Sequence, residues 1–341
     1  MSQITHRRFL LRLRELTKIA LHQYGLDNVK LKFVTYSGNG LYQVTVPSGM
    51  PVPEGKYALR LHQPNYMRPD YIESEMEWLA ALDEASIDAP QPVRNQSGEW
   101  ITIADGGYDV PQKRNCTLIG WTEGRIIGEK AKPKHFKALG KVIGKLHEQS
   151  KKWKPPKRFS RPHWDWEGLY GEGISYGAPA VDAREAIPKK HQSLFNDTLK
   201  LMEESIDQLG KGKNVYGLIH ADLGIADNVA FKAGVAKPFD FDDCGFGYWM
   251  FDLAVPLIQH HMDTQANLKS IQEAMYSGYK ESSSLDNIGS EYLNLFMAAR
   301  LAQFMFFYQA SVLAYPELAE ESRQEIDECA KYLKQISKRM K

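Results

Sequence analysis

Acidic and amide side chains follow two short apolar segments in the second half of this sequence. The first segment leads into His220, Asp222 and Asn228, and the second leads into Asp240. If both segments are strands that end side by side, two carboxylates and a carboxamide lie close together. Phosphoryl transfer uses such a set: one carboxylate orients and deprotonates the attacking hydroxyl, while an amide oxygen and another carboxylate hold Mg²⁺, which prefers oxygen ligands. The spacing therefore predicts a phosphoryl-transfer site.

The alternative interpretation is an ordinary turn, because Asp and Asn are common turn residues. Asp227, Asp242 and Asp243 join Asp222 and Asp240 to make five acidic groups around the two apolar segments. A turn alone does not explain so many carboxylates beside apolar chain. The catalytic interpretation is therefore preferred.

The same stretch resembles the aminoglycoside phosphotransferase/choline kinase family, a branch of the protein-kinase-like fold. The resemblance rests on His-x-Asp at 220–222 and on Phe-Asp-Phe-Asp-Asp at 239–243, and it covers roughly 33–254. Among bacterial members, the sequence is similar to homoserine kinase type II and to the stress response kinase. This resemblance implies a bilobal enzyme that uses ATP and Mg²⁺.

Individual roles follow from the resemblance. It implies that Asp222 is the catalytic base and that Asn228 and Asp240 are the metal ligands. His220 is implied to brace the catalytic loop. Asp252 is implied to accept hydrogen bonds from the backbone of that loop. Both of these residues are therefore predicted to be structural supports of the site.

One departure from the family pattern concerns the loop after Asp222. The family usually places Asn five residues after the catalytic Asp, but position 227 is Asp here and Asn228 comes one residue later. The Val-Ala-Phe that follows aligns better if the loop has gained a residue, which favours Asn228 as the metal ligand. Asp227 remains the alternative, and the roles of Asp242 and Asp243 stay open.

The first half of the chain supplies a predicted grip on ATP. Arg60 lies in the third predicted strand, at the position where kinases carry a phosphate-binding Lys, and Glu75 is its predicted partner on the next helix. Arg binds phosphate bidentately but is not equivalent to Lys, and a surface charge is the alternative for Arg60. Ser37, Gly38 and Asn39 form a turn predicted to lie over the phosphates, although most such turns are ordinary hairpins.

Hydrophobic periodicity predicts the elements that position these residues. Strands are predicted at 29–33, 41–46, 57–61, 100–103, 116–121, 215–219 and 235–239, and helices at 4–24, 71–83, 136–147, 194–209 and from about 251 onward. Residues 151–182 are predicted to form a long ordered loop. With the resemblance, this pattern predicts an α+β protein-kinase-like fold. A small antiparallel sheet with a helix occupies 1–115 as the ATP-clamping lobe, a hinge 116–124, and a larger, mainly helical catalytic and acceptor-binding lobe 125–341.

Three other features carry alternatives. Residues 140–146 resemble a phosphate-binding P-loop, but the glycine spacing is wrong and no Ser or Thr follows the Lys. His147 lacks the second His of a zinc protease helix. Four aromatic residues of the predicted loop border the acceptor pocket or anchor the loop to the core, and the sequence does not decide between these roles. They are Trp153, Trp164, Trp166 and Tyr170.

Composition bounds the possible partners. The 341 residues hold 43 Lys and Arg against 42 Asp and Glu, so the basic excess typical of nucleic-acid binders is missing. The three cysteines are far apart and form no disulfide framework, which favours a reducing, cytoplasmic location. No uninterrupted apolar run reaches the ~18–20 residues that span a bilayer. We expect no nucleic-acid or membrane partner. The sequence gives no indication of the oligomeric state.

These observations predict an ATP- and Mg²⁺-dependent phosphotransferase that phosphorylates a hydroxyl of a small molecule. Aminoglycosides, homoserine and amino alcohols are candidate acceptors, because related folds serve all of them and fold alone does not decide. A protein Ser/Thr kinase of the stress response type is the alternative. A nucleotide-binding pseudokinase is a further alternative, supported only by Arg60 and by the shifted Asp227/Asn228 spacing.

Overall fold

The computed structural model describes residues 6–64, 67–106, 113–283 and 290–340. These residues form an α+β fold that divides into two compact units. One unit holds Met1–Glu123 and Pro155–Ser160, and the other holds Gly124–Lys154 and Arg161–Lys341. The chain thus leaves the first unit after Glu123 and returns to it for one short segment.

An antiparallel sheet forms the first unit together with two helices. The strands are β1 (Lys30–Ser37), β2 (Asn39–Val46), β3 (Gly55–Leu61), β4 (Pro92–Val93), β5 (Thr102–Ala104) and β6 (Arg114–Gly120), and the helices are α1 (His6–His22) and α2 (Pro69–Glu84). The strands pair in the order β1-β2-β3-β6-β4, and β5 also pairs with β6. The predicted strands and helices of this region therefore have counterparts in the structure, with ends shifted by a few residues.

The core of this unit follows from two periodicities. Buried and half-buried residues alternate along β2, so that Tyr42, Val44 and Val46 face the core, as expected for a half-buried strand. Leu13 and Leu16 lie three residues apart on α1 and join the same buried cluster. The amphipathic helix and the sheet therefore bury their apolar faces in one core.

Helices dominate the second unit. They are α3 (Pro133–Lys152), α4 (Trp166–Tyr170), α5 (Ala180–Glu185), α6 (Lys189–Leu209), α7 (Trp249–Thr264), α8 (Leu268–Lys280), α9 (Ser290–Ala314) and α10 (Ala319–Ser337). Its strands are β7 (Arg125–Ile126), β8 (His163–Trp164), β9 (Tyr216–Ile219), β10 (Val229–Lys232), β11 (Val235–Pro238) and β12 (Gly245–Tyr248). They pair in the orders β11-β10-β7 and β8-β12-β9. Short 3₁₀ helices lie at Gly128–Lys130 and Pro316–Leu318.

The segment predicted to be one long loop at 151–182 contains β8, α4 and the start of α5. Tertiary contacts explain the difference. Asp165 caps α4 by accepting the backbone N–H of Gly168 at 3.2 Å, and it also accepts from Lys211 Nζ at 2.6 Å. A five-residue helix is too short to show a periodic pattern, so the sequence alone does not reveal it.

Helix α3 contains the segment that resembles a P-loop. A Cβ atom added at Gly140 would overlap the carbonyl oxygen of Met275, and one added at Gly278 would overlap that of Lys137. These glycines therefore let the backbones of α3 and α8 approach closely. Residues 140–146 form a helix-packing surface.

In the part of the chain that the structure describes, no helix is both long enough and apolar enough to cross a membrane. The longest apolar stretch of the sequence lies in α9, where most side chains are buried in the core. Cys116, Cys244 and Cys329 are all buried as free thiols.

Candidate functional site

The segment predicted to be catalytic lies where two short sheets of the second unit end. Strand β9 stops at Ile219, directly before His220, and pairs with β12. Strands β10 and β11 form a hairpin whose open end brings Asn228 beside Phe239, with the Phe239 N–H donating to the Asn228 carbonyl at 3.0 Å. The strands that precede His220 and Asp240 thus belong to different sheets. Asp240 lies near Asn228 because β11, which precedes Asp240, pairs with β10, which follows Asn228.

Asp222 and Asn228 are in direct contact. The Asn228 Nδ2 donates to the Asp222 carbonyl at 2.8 Å and to Asp222 Oδ2 at 2.9 Å. This contact fixes the amide so that its Oδ1 remains as an acceptor. The other carboxylate oxygen, Asp222 Oδ1, accepts from Arg300 Nη2. The Asp222 side chain keeps 26% of its surface exposed, so part of it is accessible to solvent.

The backbone before Asp222 is held by the carboxylate of Asp252 in α7. Its Oδ2 accepts the His220 N–H at 3.0 Å, and its Oδ1 accepts the Ala221 N–H at 2.6 Å. Ala221 has φ +70°, a left-handed conformation that costs an L-residue about 1–2 kcal/mol. These two hydrogen bonds hold the chain in that conformation.

His220 is itself buried and supports the loop from the other side. Burial lowers the pKa of His220, so the ring is neutral near pH 7. Its Nε2 lies 3.1 Å from the Phe239 carbonyl, which can only accept, and its Nδ1 accepts the Asp222 N–H at 3.4 Å. The ring also packs against Phe241, with centroids 4.3 Å apart. The imidazole therefore links the two segments that carry Asp222 and Asp240.

The acids after β11 form a tight turn. Asp240 has φ +62° and is exposed, while Asp242 and Asp243 are half-buried. Burial, followed by repulsion from Asp222 and Asp242, raises the pKa of Asp243 to about 7, and Arg300 opposes this rise. The turn therefore concentrates negative charge next to Asp222.

The segment before α4 holds this turn through its backbone carbonyls. Arg161 donates to the Asp242 and Cys244 carbonyls, and Trp164 Nε1 donates to the Asp243 carbonyl at 2.8 Å. Trp164 thus anchors its segment to the acidic turn. Of the two roles left open for the aromatic residues, anchoring is the one observed for Trp164.

The side chains predicted to bind a metal ion would do so through oxygen atoms. Among the described residues, no group of three or more His, Cys, Asp or Glu side chains is arranged to hold a metal ion. Mg²⁺ in kinases is held by one or two protein oxygens together with substrate phosphates and water, so a full protein cage is not required. Asn228 Oδ1 and the exposed Asp240 carboxylate fit that chemistry. Asp227 is exposed as well, and burial of part of its carboxyl, followed by repulsion from Asp222, raises its pKa.

The first unit contains the residues predicted to grip ATP. Arg60 of β3 donates to Glu75 Oε1 of α2 at 2.5 Å, and the residues are 4% and 1% exposed. The predicted pair is therefore formed, and Arg60 is not a surface charge. Glu77, two residues further along α2, pairs with Arg158 instead.

The predicted phosphate loop is a tight hairpin. Ser37 ends β1 and Asn39 begins β2, with Gly38 between them at φ +75°. The Asn39 Oδ1 accepts the backbone N–H of Gln63 at 3.0 Å. The turn needs a glycine at its tip because left-handed φ is strained for other residues. A contact of this turn with phosphate stays a prediction.

Sequence reasoning missed two residues that touch the site. His147 of α3 contacts Asp252, and Arg300 of α9 contacts Asp222. Arg300 interrupts the longest apolar stretch of the sequence, and buried charges in proteins are paired. That interruption was the signal for a charged partner, whereas His147 gave no signal that distinguishes it from an ordinary core histidine.

Comparisons with known proteins agree with this geometry. Residues 41–285 match the phosphotransferase enzyme family. Amicoumacin kinase of Bacillus subtilis (strain 168) is 25% identical over 284 residues, which cover 78% of this chain and 76% of that protein. These matches confirm the predicted family resemblance.

Two solved structures extend the agreement to the fold. A microcompartment-associated aminopropanol kinase aligns with a TM-score of 0.78 and 25% identity over 96% of this chain and 98% of that chain. The amicoumacin kinase hAmiN, solved with AMP-PNP, Ca²⁺ and Ami, aligns with a TM-score of 0.75 and 20% identity over 96% of each chain. The predicted α+β protein-kinase-like fold is thereby confirmed.

Proposed function

Because this chain belongs to the phosphotransferase enzyme family, we propose that it transfers the γ-phosphate of ATP to a hydroxyl group of a small molecule. The observation that carries this proposal is the contact between Asp222 and Asn228. It places a carboxylate that can accept a proton beside an amide whose oxygen can bind a metal ion. A structural turn has no need of that combination.

Asp222 would act as the general base. Each carboxylate oxygen has two lone pairs, so the bonds from Asn228 and Arg300 leave acceptor capacity for the attacking hydroxyl. The proton of that hydroxyl would pass to Asp222 as the oxygen attacks phosphorus. Positioning of this kind supplies most of the catalysis in phosphoryl transfer, since the protein forms no covalent bond to the phosphate.

Asn228 and Asp240 would hold Mg²⁺, which when bound neutralises charge on the β- and γ-phosphates. We favour Asn228 over Asp227 because its amide is buried and fixed by the Asp222 contact. The exposed Asp227 carboxylate would be freer to turn away. The complex of hAmiN with AMP-PNP and Ca²⁺ supports a nucleotide and a divalent cation for the present chain as well.

Arg60 would contact the α- and β-phosphates of ATP from the first unit. The Glu75 carboxylate orients one guanidinium nitrogen and shields part of the buried charge. Arg forms planar, paired hydrogen bonds with phosphate, so this residue fits a role that Lys has in other kinases. The turn at 37–39 would cover the phosphates with its backbone N–H groups.

The acceptor would be a hydroxyl-bearing small molecule of the amino-alcohol class. This follows from similarity alone, because the relatives are named for amicoumacin and aminopropanol. A protein acceptor has no specific observation in its favour. A pseudokinase is disfavoured because the chain retains all three side chains proposed for catalysis and metal binding, which are Asp222, Asn228 and Asp240.

The test is Asp222→Asn, assayed by ADP release with a panel of hydroxyl compounds. The variant should bind ATP and Mg²⁺ normally and lose about 10²–10⁴-fold in turnover, the usual contribution of a positioned base. Asp207→Asn is the matched control, since Asp207 is an exposed acid on α6. Near-normal turnover by Asp222→Asn would remove this residue from the role of base.

A further inference from the structure

Arg300 is a buried cation in a mostly apolar helix. It is 5% exposed, and its Nη1 donates to Gln303 Oε1 at 3.1 Å while its Nη2 donates to Asp222 Oδ1. The guanidinium also lies over the Phe304 ring, 4.2 Å from the centroid. Burying a charge is costly unless it is paired, so this position has a specific reason to hold Arg.

A second hydrogen bond extends the contact away from the base. Gln303 Nε2 donates to the Tyr176 hydroxyl at 3.1 Å. Tyr176 lies between α4 and α5, and its ring packs edge-on against Phe306 and Phe307. A chain of polar contacts thus connects the segment that carries Tyr176 with the carboxylate of Asp222.

The two oxygens of Asp222 are held from different elements. Asn228 binds Oδ2 from the start of β10, and Arg300 binds Oδ1 from α9. With Asn228 alone, the carboxylate could rotate about its Cβ–Cγ bond. Repulsion from Asp227 and Asp243, both of which interact electrostatically with Asp222, would favour such a rotation.

We propose that Arg300 is a positioning residue for Asp222, and that Gln303 and Tyr176 hold its guanidinium in place. This inference rests on the proposed function, because it takes Asp222 as the base. Its consequence is that the orientation of the base depends on the segment between α4 and α5. A small misplacement of a catalytic group can cost about 10²-fold in rate, so the contact matters for turnover.

The first experiment is a double-mutant cycle on Asp222 and Arg300. The probe is ADP release from Mg·ATP with water as the acceptor, repeated with the best alcohol of the panel. Arg300→Met should lower kcat by roughly 10–100-fold and leave the KM for ATP unchanged. In the Asp222→Asn background the same substitution should change kcat by less than about threefold, because no carboxylate remains to be positioned. Arg300→Lys, which keeps the charge but cannot serve both partners, should recover part of the loss.

The second experiment removes one oxygen atom. Tyr176→Phe keeps the ring contacts and deletes the hydroxyl that Gln303 reaches. It should lower kcat about 2–10-fold, the worth of one hydrogen bond, and should have no effect in the Arg300→Met background. Tyr315→Phe and Arg323→Met, which alter exposed residues, are the matched controls, and thermal melting checks folding.

The outcomes separate the two claims. Normal turnover by Asp222→Asn would remove Asp222 from the role of base and overturn this inference with it, whereas no ADP release by the unsubstituted protein with any acceptor would overturn the proposed function. If Asp222→Asn loses turnover while Arg300→Met turns over normally or faster, the inference alone would be overturned. An equal loss from Arg300→Met in both backgrounds would also overturn it, because such additivity indicates general structural damage.

Discussion

The imidazole Nε2 of His147 lies 3.1 Å from Oδ2 of Asp252, and both side chains are fully buried. The other ring nitrogen of His147 lies 3.0 Å from the Tyr279 hydroxyl. Asp252 also accepts the backbone N–H groups of His220 and Ala221. A continuous chain of hydrogen bonds thus runs from α8 through α3 and α7 to the loop that follows β9.

Replacing His147 with Leu should destabilise the second unit. Asp252 and Tyr279 would each lose a buried partner, and leaving buried polar groups unsatisfied costs about 1–3 kcal/mol each. We expect a loss of about 2–4 kcal/mol in the free energy of unfolding, measured by urea titration. His191→Leu is the control, because His191 pairs with a half-exposed Asp327 and such pairs contribute about 0–1 kcal/mol. Equal losses in both variants would show that the buried chain adds nothing.

Ala221 offers a test of backbone strain in the loop that precedes Asp222. Its φ of +70° is costly for Ala and unstrained for Gly. Ala221→Gly should therefore leave stability unchanged or raise it by up to about 1 kcal/mol, after the entropy of the more flexible unfolded chain is counted. The same change at Ala274, inside α8, should cost about 1 kcal/mol. Similar losses at both positions in urea titrations would contradict the strain.

The choice between Asn228 and Asp227 can be made with a metal titration. Asn228→Ala removes the buried amide, and we expect the Mg²⁺ concentration for half-maximal ADP release to rise roughly tenfold or more, since a hydrogen bond or ligand at a charged group contributes about 1.5–3 kcal/mol. Asp227→Ala should shift it less than about threefold. The reverse order would make Asp227 the ligand.

The prediction from sequence was strongest where the pattern is local. The apolar spacing of residues 136–147 placed α3, and that of 194–209 placed α6. Strand β12 went unpredicted because glycines alternate along it at Gly245 and Gly247. Added Cβ atoms there would meet Pro162 and Ile219, which are distant in sequence. A requirement set by tertiary contacts leaves no periodic signal in the strand itself.

The candidate site shows the same division. Asp222 and Asp240 stand next to apolar segments, so motif and resemblance were enough to propose roles for them. The contact between Asp222 and Arg300 joins positions 78 residues apart. The only sign of this contact in the sequence of α9 was one charged residue, Arg300, among apolar neighbours. Which acid would meet that charge depends on how α9 packs, and no spacing rule encodes it.

The close approach of α3 and α8 gives a prediction about stability alone. An added Cβ at Gly278 would overlap the Lys137 carbonyl, which is part of a helix backbone and cannot swing aside as a side chain does. Gly278→Ala should therefore force the helices apart and cost about 3 kcal/mol, the upper range for overpacking. The measurement is the midpoint of urea unfolding. Unfolding is monitored with two spectroscopic probes, whose transitions should coincide if it is cooperative. Gly212→Ala is the matched control, because nothing lies within 4 Å of a Cβ added there. A midpoint for Gly278→Ala that equals the control would mean that the two helices separate without cost, and would refute the packing role of the segment that resembles a P-loop.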